Sequence, residues 1–133
     1  MIDALLSLAR ARRLEGKPDE ALSLYRQASA VARGTGDMPA LVHALRHVSD
    51  LERERDPREA SRVAEEAIEI CQAYPGWSQL EHANALRLQA LALAAVNEHA
   101  KSLEAWKQAR TLYDEAGIAA GVAECDAQLG ALQ

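Results

Sequence analysis

The chain contains no phenylalanine, and aromatic residues make up only 4% of its 133 positions. It has two cysteines, Cys71 and Cys125, at no spacing typical of a metal or redox motif and too few for a secreted disulfide scaffold. No apolar run approaches the roughly 18 residues that a membrane helix needs. No segment alternates β-branched and polar residues, so no strand is predicted. We therefore expect a cytoplasmic protein with free thiols and no membrane contact.

The charge balance and the missing motifs exclude further classes. The formal net charge is −5, which argues against a nucleic-acid partner, since such binders neutralise phosphates with lysine and arginine. No glycine-rich phosphate loop, nucleophile elbow or zinc-protease motif occurs. We therefore expect neither catalysis nor a cofactor.

Two histidines, His43 and His47, are spaced four residues apart and so share one face of a helix. This spacing occurs in helical zinc sites, but the sequence places no third ligand beside them. Glu81 or His82 could approach from the next helix pair. We interpret the two histidines as packing residues between paired helices, and expect no metal.

The apolar residues, 49% of the chain, are mostly alanine and leucine, which favour helices. Start and stop signals divide the chain at Gly16–Pro18, Gly34–Pro39, Asp56–Pro57, Tyr74–Ser78 and Gly117. A further break falls between Val96 and Glu98. Together these breaks predict seven helices, at about residues 2–15, 18–33, 39–55, 57–73, 78–96, 98–116 and 118–132.

A pattern of small and large residues recurs in every second predicted helix. A small residue is followed four positions later by an apolar residue, and three positions after that by an alanine. The three copies are Ala21, Tyr25 and Ala28; Ala60, Ala64 and Ala67; and Ser102, Trp106 and Ala109. The copies start 39 and 42 residues apart. A period of this size predicts stacked helical hairpins in a single domain of residues 1–133. We place the repeats at about 2–36, 37–76 and 77–117, followed by a trailing helix at 118–132; an ordinary antiparallel bundle is the alternative.

The residues at these places resemble the tetratricopeptide repeat family. The matching positions are Leu8, Ala9, Gly16, Glu20, Ala21, Tyr25 and Ala28 in the first unit, Glu59, Ala60 and Ala67 in the second, Ala90, Trp106 and Ala109 in the third, and Leu129–Gly130 in a fourth. The chain departs from the family at Ala64, which replaces the usual aromatic residue, and at Ser102, which replaces the alanine. Its period is also longer than the usual 34 residues, and this longer period is similar to that of the repeats in kinesin light chains. The resemblance implies an all-α, right-handed superhelix that serves as a protein-interaction scaffold.

The resemblance also implies a concave groove lined by the first helix of each hairpin. The predicted peptide-binding residues are Arg10, Arg13, Leu45, Arg46, Ser49, Asn84, Arg87 and Leu91. Since arginine binds carboxylates in a bidentate manner, we expect an acidic or C-terminal peptide, or a helix with an acidic face. The arginines could instead pair only with local acids such as Asp3, Asp50 or Glu52.

Two other functions stay open at this point. The groove could take a small ligand or a signalling peptide in a regulatory or sensory domain. Alternatively, the chain could be a self-associating unit, because the trailing helix is apolar and has no following helix in this sequence. In that case we expect a homodimer through its apolar residues Ile118, Val122, Leu129 and Leu132.

Overall fold

The computed structural model describes residues 1–132, which form seven α-helices and no strand. The helices are α1 (Ile2–Leu14), α2 (Pro18–Thr35), α3 (Met38–Glu52), α4 (Pro57–Ala73), α5 (Gln79–Ala95), α6 (His99–Glu115) and α7 (Ala119–Leu132). Their ends lie within three residues of the predicted ones. The all-helical prediction is therefore confirmed.

Local capping interactions explain why the helices begin where they do. The Asp37 carboxylate accepts a hydrogen bond of 3.1 Å from the backbone N–H of Ala40. Asp56 caps α4 in the same way with a bond of 3.2 Å, and Ser78 caps α5 with a bond of 3.3 Å. Each side chain satisfies an N–H group that has no partner within its helix. These contacts fix three of the helix starts independently of tertiary packing.

Each helix packs against the next one along the chain, and small residues lie where the paired helices cross. Ala9 and Ala21 are fully buried between α1 and α2, and Ala90 and Ser102 are fully buried between α5 and α6. A larger side chain four residues after the small one, Tyr25 or Trp106, is only 1% exposed. Close crossings and large plugs thus make a continuous core that no single hairpin could form alone.

The odd-numbered helices form one wall of the stack, which we call the inner wall. In addition to the sequential contacts, α3 packs against α5. An ion pair between Arg13 and Asp50 joins α1 to α3, and one between Arg87 and Glu124 joins α5 to α7. The even-numbered helices form the opposite, outer wall.

Helix α7 packs on α6 through apolar side chains. Cys125 is fully buried there, and Ile118, Val122 and Leu129 are partly buried against the core. Cys71 is also buried, and neither cysteine forms a disulfide. The side chain of Leu132, one of the predicted dimer residues, lies outside the described part of the chain, as does Gln133.

Candidate functional site

The inner wall contains a cavity of about 140 Å³ where α1, α3 and α5 meet. Arginine predominates in its lining, which consists of Arg13, Arg46, His47, Asp50, Asn84, Arg87 and Leu88. Three guanidinium groups thus face one small space that holds a single carboxylate.

A second, larger cavity of about 500 Å³ lies beside it, between α1 and α3. Its lining is less charged and consists of Leu6, Ser7, Arg10, Arg13, Leu14, Tyr25, His43 and His47. Arg13 and His47 belong to both linings, so the two cavities are neighbours on the inner wall. The larger cavity is the more apolar of the two, and the smaller one is the more cationic.

Some of the arginines are neutralised within the chain. Arg13 pairs with Asp50, and Arg53 donates to the same carboxylate at 2.9 Å. Burial alone would raise the pKa of Asp50, but the hydrogen bonds and charges of Arg13 and Arg53 outweigh it, so the pKa lies below its usual value. Asp50 therefore stays ionised at neutral pH and holds α1 against α3.

The next junction, between α5 and α7, is held by a bidentate ion pair. The Arg87 Nε and Nη2 atoms donate to the Glu124 carboxylate at 2.6 and 3.0 Å. Beside it, the Tyr113 hydroxyl donates to the Asn84 amide oxygen at 2.6 Å. These bonds fix the orientation of Arg87 and Asn84 at the edge of the cavity.

Two arginines on this wall lack an ion-pair partner among the described residues. Arg46 is half-buried at the cavity, and Arg10 is exposed at the mouth of the larger one. Neither has a carboxylate oxygen within 4.0 Å in the part of the chain that the structure describes. The local acids that the sequence offered as alternative partners therefore neutralise only part of the arginine cluster.

The histidines add no positive charge to the two cavities at neutral pH. The His47 ring stacks on Tyr25 with a centroid distance of 4.4 Å, and His43 meets it edge-on at 4.8 Å. Burial, with the charges of His43, Arg13 and Arg46, lowers the pKa of His47 to about 4. Its neutral Nδ1 can then accept the 3.0 Å hydrogen bond from Arg13.

The structure places five of the eight predicted groove residues at the two cavities: Arg10, Arg13, Arg46, Asn84 and Arg87. Leu91 is half-buried against the core of the same wall. Leu45 and Ser49 instead lie inside the packing, 4% and 1% exposed. They cannot contact a partner in this conformation.

The rotation of α3 about its axis explains why Leu45 and Ser49 are buried in the core and do not line the groove. Ser49 is the small residue at the α3–α4 crossing, where its hydroxyl donates to the Ala60 carbonyl. The pair is separated by 11 residues, whereas Ala90 and Ser102 are separated by 12. Since one residue rotates a helix face by about 100°, the prediction aligned α3 one position out of phase.

The structure also places at this wall residues that the prediction did not assign to the groove. They are His43, His47 and Asp50 on α3 and Glu124 on α7. The sequence signal for the phase was the small side chain of Ser49, 11 positions before Ala60. No signal in the sequence paired Arg87 with Glu124, which are 37 residues apart.

Two further findings concern ligands and membranes. Within the described residues, no group of three or more His, Cys, Asp or Glu side chains could hold a metal ion. Across the same residues, none of the helices has the length and apolar character needed to span a bilayer.

Solved structures of similar fold come from Podosopora anserina. One is a putative kinesin light chain with nearly identical TPR-like repeats, with a TM-score of 0.77 and 18% identity. A substituted variant of the same protein gives a TM-score of 0.76, also at 18% identity. Each comparison covers 98% of this chain and 69% of the other. At this identity the likeness shows the fold, a helical-repeat superhelix.

Sequence comparison gives the family. Among curated proteins, no sequence matches the chain significantly. The family model described as tetratricopeptide repeat matches residues 1–73, which is more than half of the chain. Repeats of this family generally mediate contacts between proteins, and they are typically scaffolds rather than catalysts. The chain belongs to the tetratricopeptide repeat family.

Proposed function

We propose that the protein is a non-catalytic interaction module whose inner wall binds an acidic peptide segment or the acidic face of a helix. The observation that carries this proposal is Arg46, a half-buried arginine without an ion-pair partner among the described residues, at a cavity shared with Arg13 and Arg87.

We propose repeats at 2–36, 37–76 and 77–117 with a trailing helix at 118–132, and a cytoplasmic location.

The energetics favour a carboxylate as the group bound there. A partly buried cation without a counter-charge is costly, and a bidentate hydrogen bond to a carboxylate offsets that cost. Asp50 is already occupied by Arg13 and Arg53, and Glu124 by Arg87. A ligand carboxylate would therefore complete an arrangement that the chain satisfies only in part.

The adjoining larger cavity supports a peptide rather than a lone anion. Its lining includes Leu6, Leu14 and the ring of His47, which offer apolar contact beside Arg10. A peptide could place a carboxylate at Arg46 and an apolar side chain next to it. Both contacts come from rigid helices, so little ordering is needed on binding.

A peptide array with paired probes tests the proposal. Each acidic peptide is matched by the same peptide with glutamine and asparagine in place of glutamate and aspartate. We expect the acidic set to bind and the amide set to bind at least about tenfold more weakly, as expected for one charge-assisted contact. Equal binding of both sets would reject an acidic partner.

The matched variants are Arg46→Glu and Arg58→Glu. Arg58 is exposed on α4 and has no ion pair among the described residues, so the two variants have the same net charge. We expect Arg46→Glu to abolish binding of the acidic peptides and Arg58→Glu to retain it. Equal effects of both substitutions would show that only the overall charge matters, and would refute the inner wall as the site.

A further inference from the structure

A second groove lies on the outer wall, between α4 and α6, and has a volume of about 550 Å³. We call it the outer groove, lined by Ser61, Glu65, Ile68, Glu69, Gln72, Leu86, Gln89, Leu93, Lys101, Glu104, Ala105 and Gln108. Its floor is apolar and comes partly from α5, whose Leu86 and Leu93 are 4% and 9% exposed. It shares no residue with the inner-wall cavities.

The rim of the outer groove is acidic and unneutralised. Glu65, Glu69 and Glu104 are exposed, and no ion pair involves them among the described residues. Lys101 is the single cationic residue in the lining. Three carboxylates thus face a groove that contains one ammonium group.

At the preceding junction of the outer wall, between α2 and α4, a glutamate does have an ion-pair partner. There Arg33 on α2 pairs with Glu66 on α4 at 2.6 Å. The chain therefore supplies a cation for Glu66 where α2 meets α4. In the outer groove, among the described residues, Lys101 forms no ion pair with Glu65, Glu69 or Glu104.

The spacing of the rim suits a short stretch of chain. One face of α4 carries Ser61, Glu65, Glu69 and Gln72. The first and last of these are 11 positions apart, which is about 16 Å of helix or roughly five residues of extended peptide. The amide of Gln72 can donate to and accept from a peptide backbone. The Gln108 Nε2 atom donates to Glu104 at 3.3 Å, and its amide oxygen can accept from a peptide backbone N–H. Gln89 accepts from Ser61 at 3.2 Å and keeps its own N–H donors.

We propose that the outer groove binds a basic peptide segment with lysine or arginine at alternate positions. Alternate side chains of an extended segment point the same way, so two cations can reach Glu65 and Glu69 while the backbone meets the glutamine amides. Glu104 approaches from the opposite rim. This partner has the opposite charge to the one proposed for the inner wall, and the two sites are independent of each other.

Fluorescence anisotropy at low ionic strength tests the outer groove, with a fluorescein-labelled hexapeptide of alternating lysine and leucine as the probe. The test variant is Glu65→Gln, Glu69→Gln, Glu104→Gln. The control variant is Asp3→Asn, Glu54→Gln, Asp114→Asn, which removes three exposed carboxylates outside the outer groove. Both variants have the same net charge, and circular dichroism reports whether each keeps its helix content.

We expect the groove variant to raise the Kd of the probe by about tenfold and the control variant by less than about twofold. Equal losses would mean general attraction to an acidic protein and would overturn the proposal, as would no loss in the groove variant. Sedimentation of the unlabelled protein tests whether a second copy of the chain occupies the groove. If the wild type were a dimer and the groove variant a monomer, the groove would be assigned to a second copy instead. Arg46→Glu should leave the probe bound, so failure here is distinguishable from failure at the inner wall.

Discussion

The Ser49 hydroxyl on α3 donates a buried hydrogen bond of 2.8 Å to the backbone carbonyl of Ala60 on α4. The next hairpin has a bond of the same length in the reverse direction, from Ser102 on α6 to the Ala90 carbonyl on α5. Both serines are at most 1% exposed. In both hairpins the helices thus approach closely enough for a side chain of one to reach the backbone of the other.

Replacing either serine with alanine tests the contribution of these bonds. The crossing stays sterically compatible, and only the hydrogen bond is lost, so we expect Ser49→Ala or Ser102→Ala to lower the free energy of unfolding by about 1 kcal/mol. Ser102→Val should cost more, about 1–3 kcal/mol, since the added methyl group must fit where the side chain is fully buried. Urea denaturation measures all three, and a neutral Ser102→Val would contradict the close crossing.

Gly121→Ala tests the docking of α7 on α6. A Cβ atom at this position would lie 2.5 Å from the Tyr113 ring. That ring is 3% exposed, and its hydroxyl is bound to Asn84, so it has little room to move. We expect a loss of about 2 kcal/mol in the free energy of unfolding, measured by urea denaturation. Faster amide exchange in α7 should accompany it.

Gly34→Ala is the matched control. Gly34 lies near the end of α2, and a Cβ atom there would meet nothing within 4 Å. Alanine favours the helix over glycine, so we expect a gain of about 0.5–1 kcal/mol. If both substitutions destabilised equally, the contact between Gly121 and Tyr113 would not be the cause.

The ion pair between Arg87 and Glu124 predicts a measurable coupling between α5 and α7. Both side chains are 35% exposed, so solvent screens the pair, and we expect a coupling of only about 0.5–1 kcal/mol. A double-mutant cycle with Arg87→Met and Glu124→Gln measures it through denaturation of the four proteins. Strictly additive effects would show that the pair does not hold α7 in place.

Local signals in the sequence were sufficient for the helices but not for the whole inner wall. Asp37, Asp56 and Ser78 cap helices through residues three positions away, so neighbouring sequence alone predicts them. The rotation of α3 instead depends on which residue meets Ala60, and the two residues of this contact are one position closer in sequence than those of the matching contact in the next hairpin. That tertiary contact moved Leu45 into the core, and the same rotation put Asp50 at the cavity.

The environment of His47 predicts that acid destabilises the protein. In the unfolded chain the His47 pKa is near its ordinary value of 6.5, and in the fold it is about 4. Between these values the unfolded state binds a proton that the folded state excludes, so the stabilising contribution is complete above pH 6.5 and is lost as the pH falls toward 4. Burial also lowers the pKa of His43 and His82, which act in the same direction.

His47→Gln separates the contribution of His47 from that of the other histidines, because glutamine can still accept a hydrogen bond from Arg13 and does not titrate. Between pH 7.5 and pH 5 we expect the wild type to lose about 1–2 kcal/mol more of its free energy of unfolding than the variant, after allowance for the partly exposed ring. The pKa of Asp50 is lowered from 3.8, so that carboxyl group stays ionised in the fold over this range. Urea denaturation at the two pH values gives the difference directly. Parallel losses in both proteins would mean that His47 accepts a proton in the fold as readily as in the unfolded chain, contrary to its burial between Tyr25, His43 and Arg13.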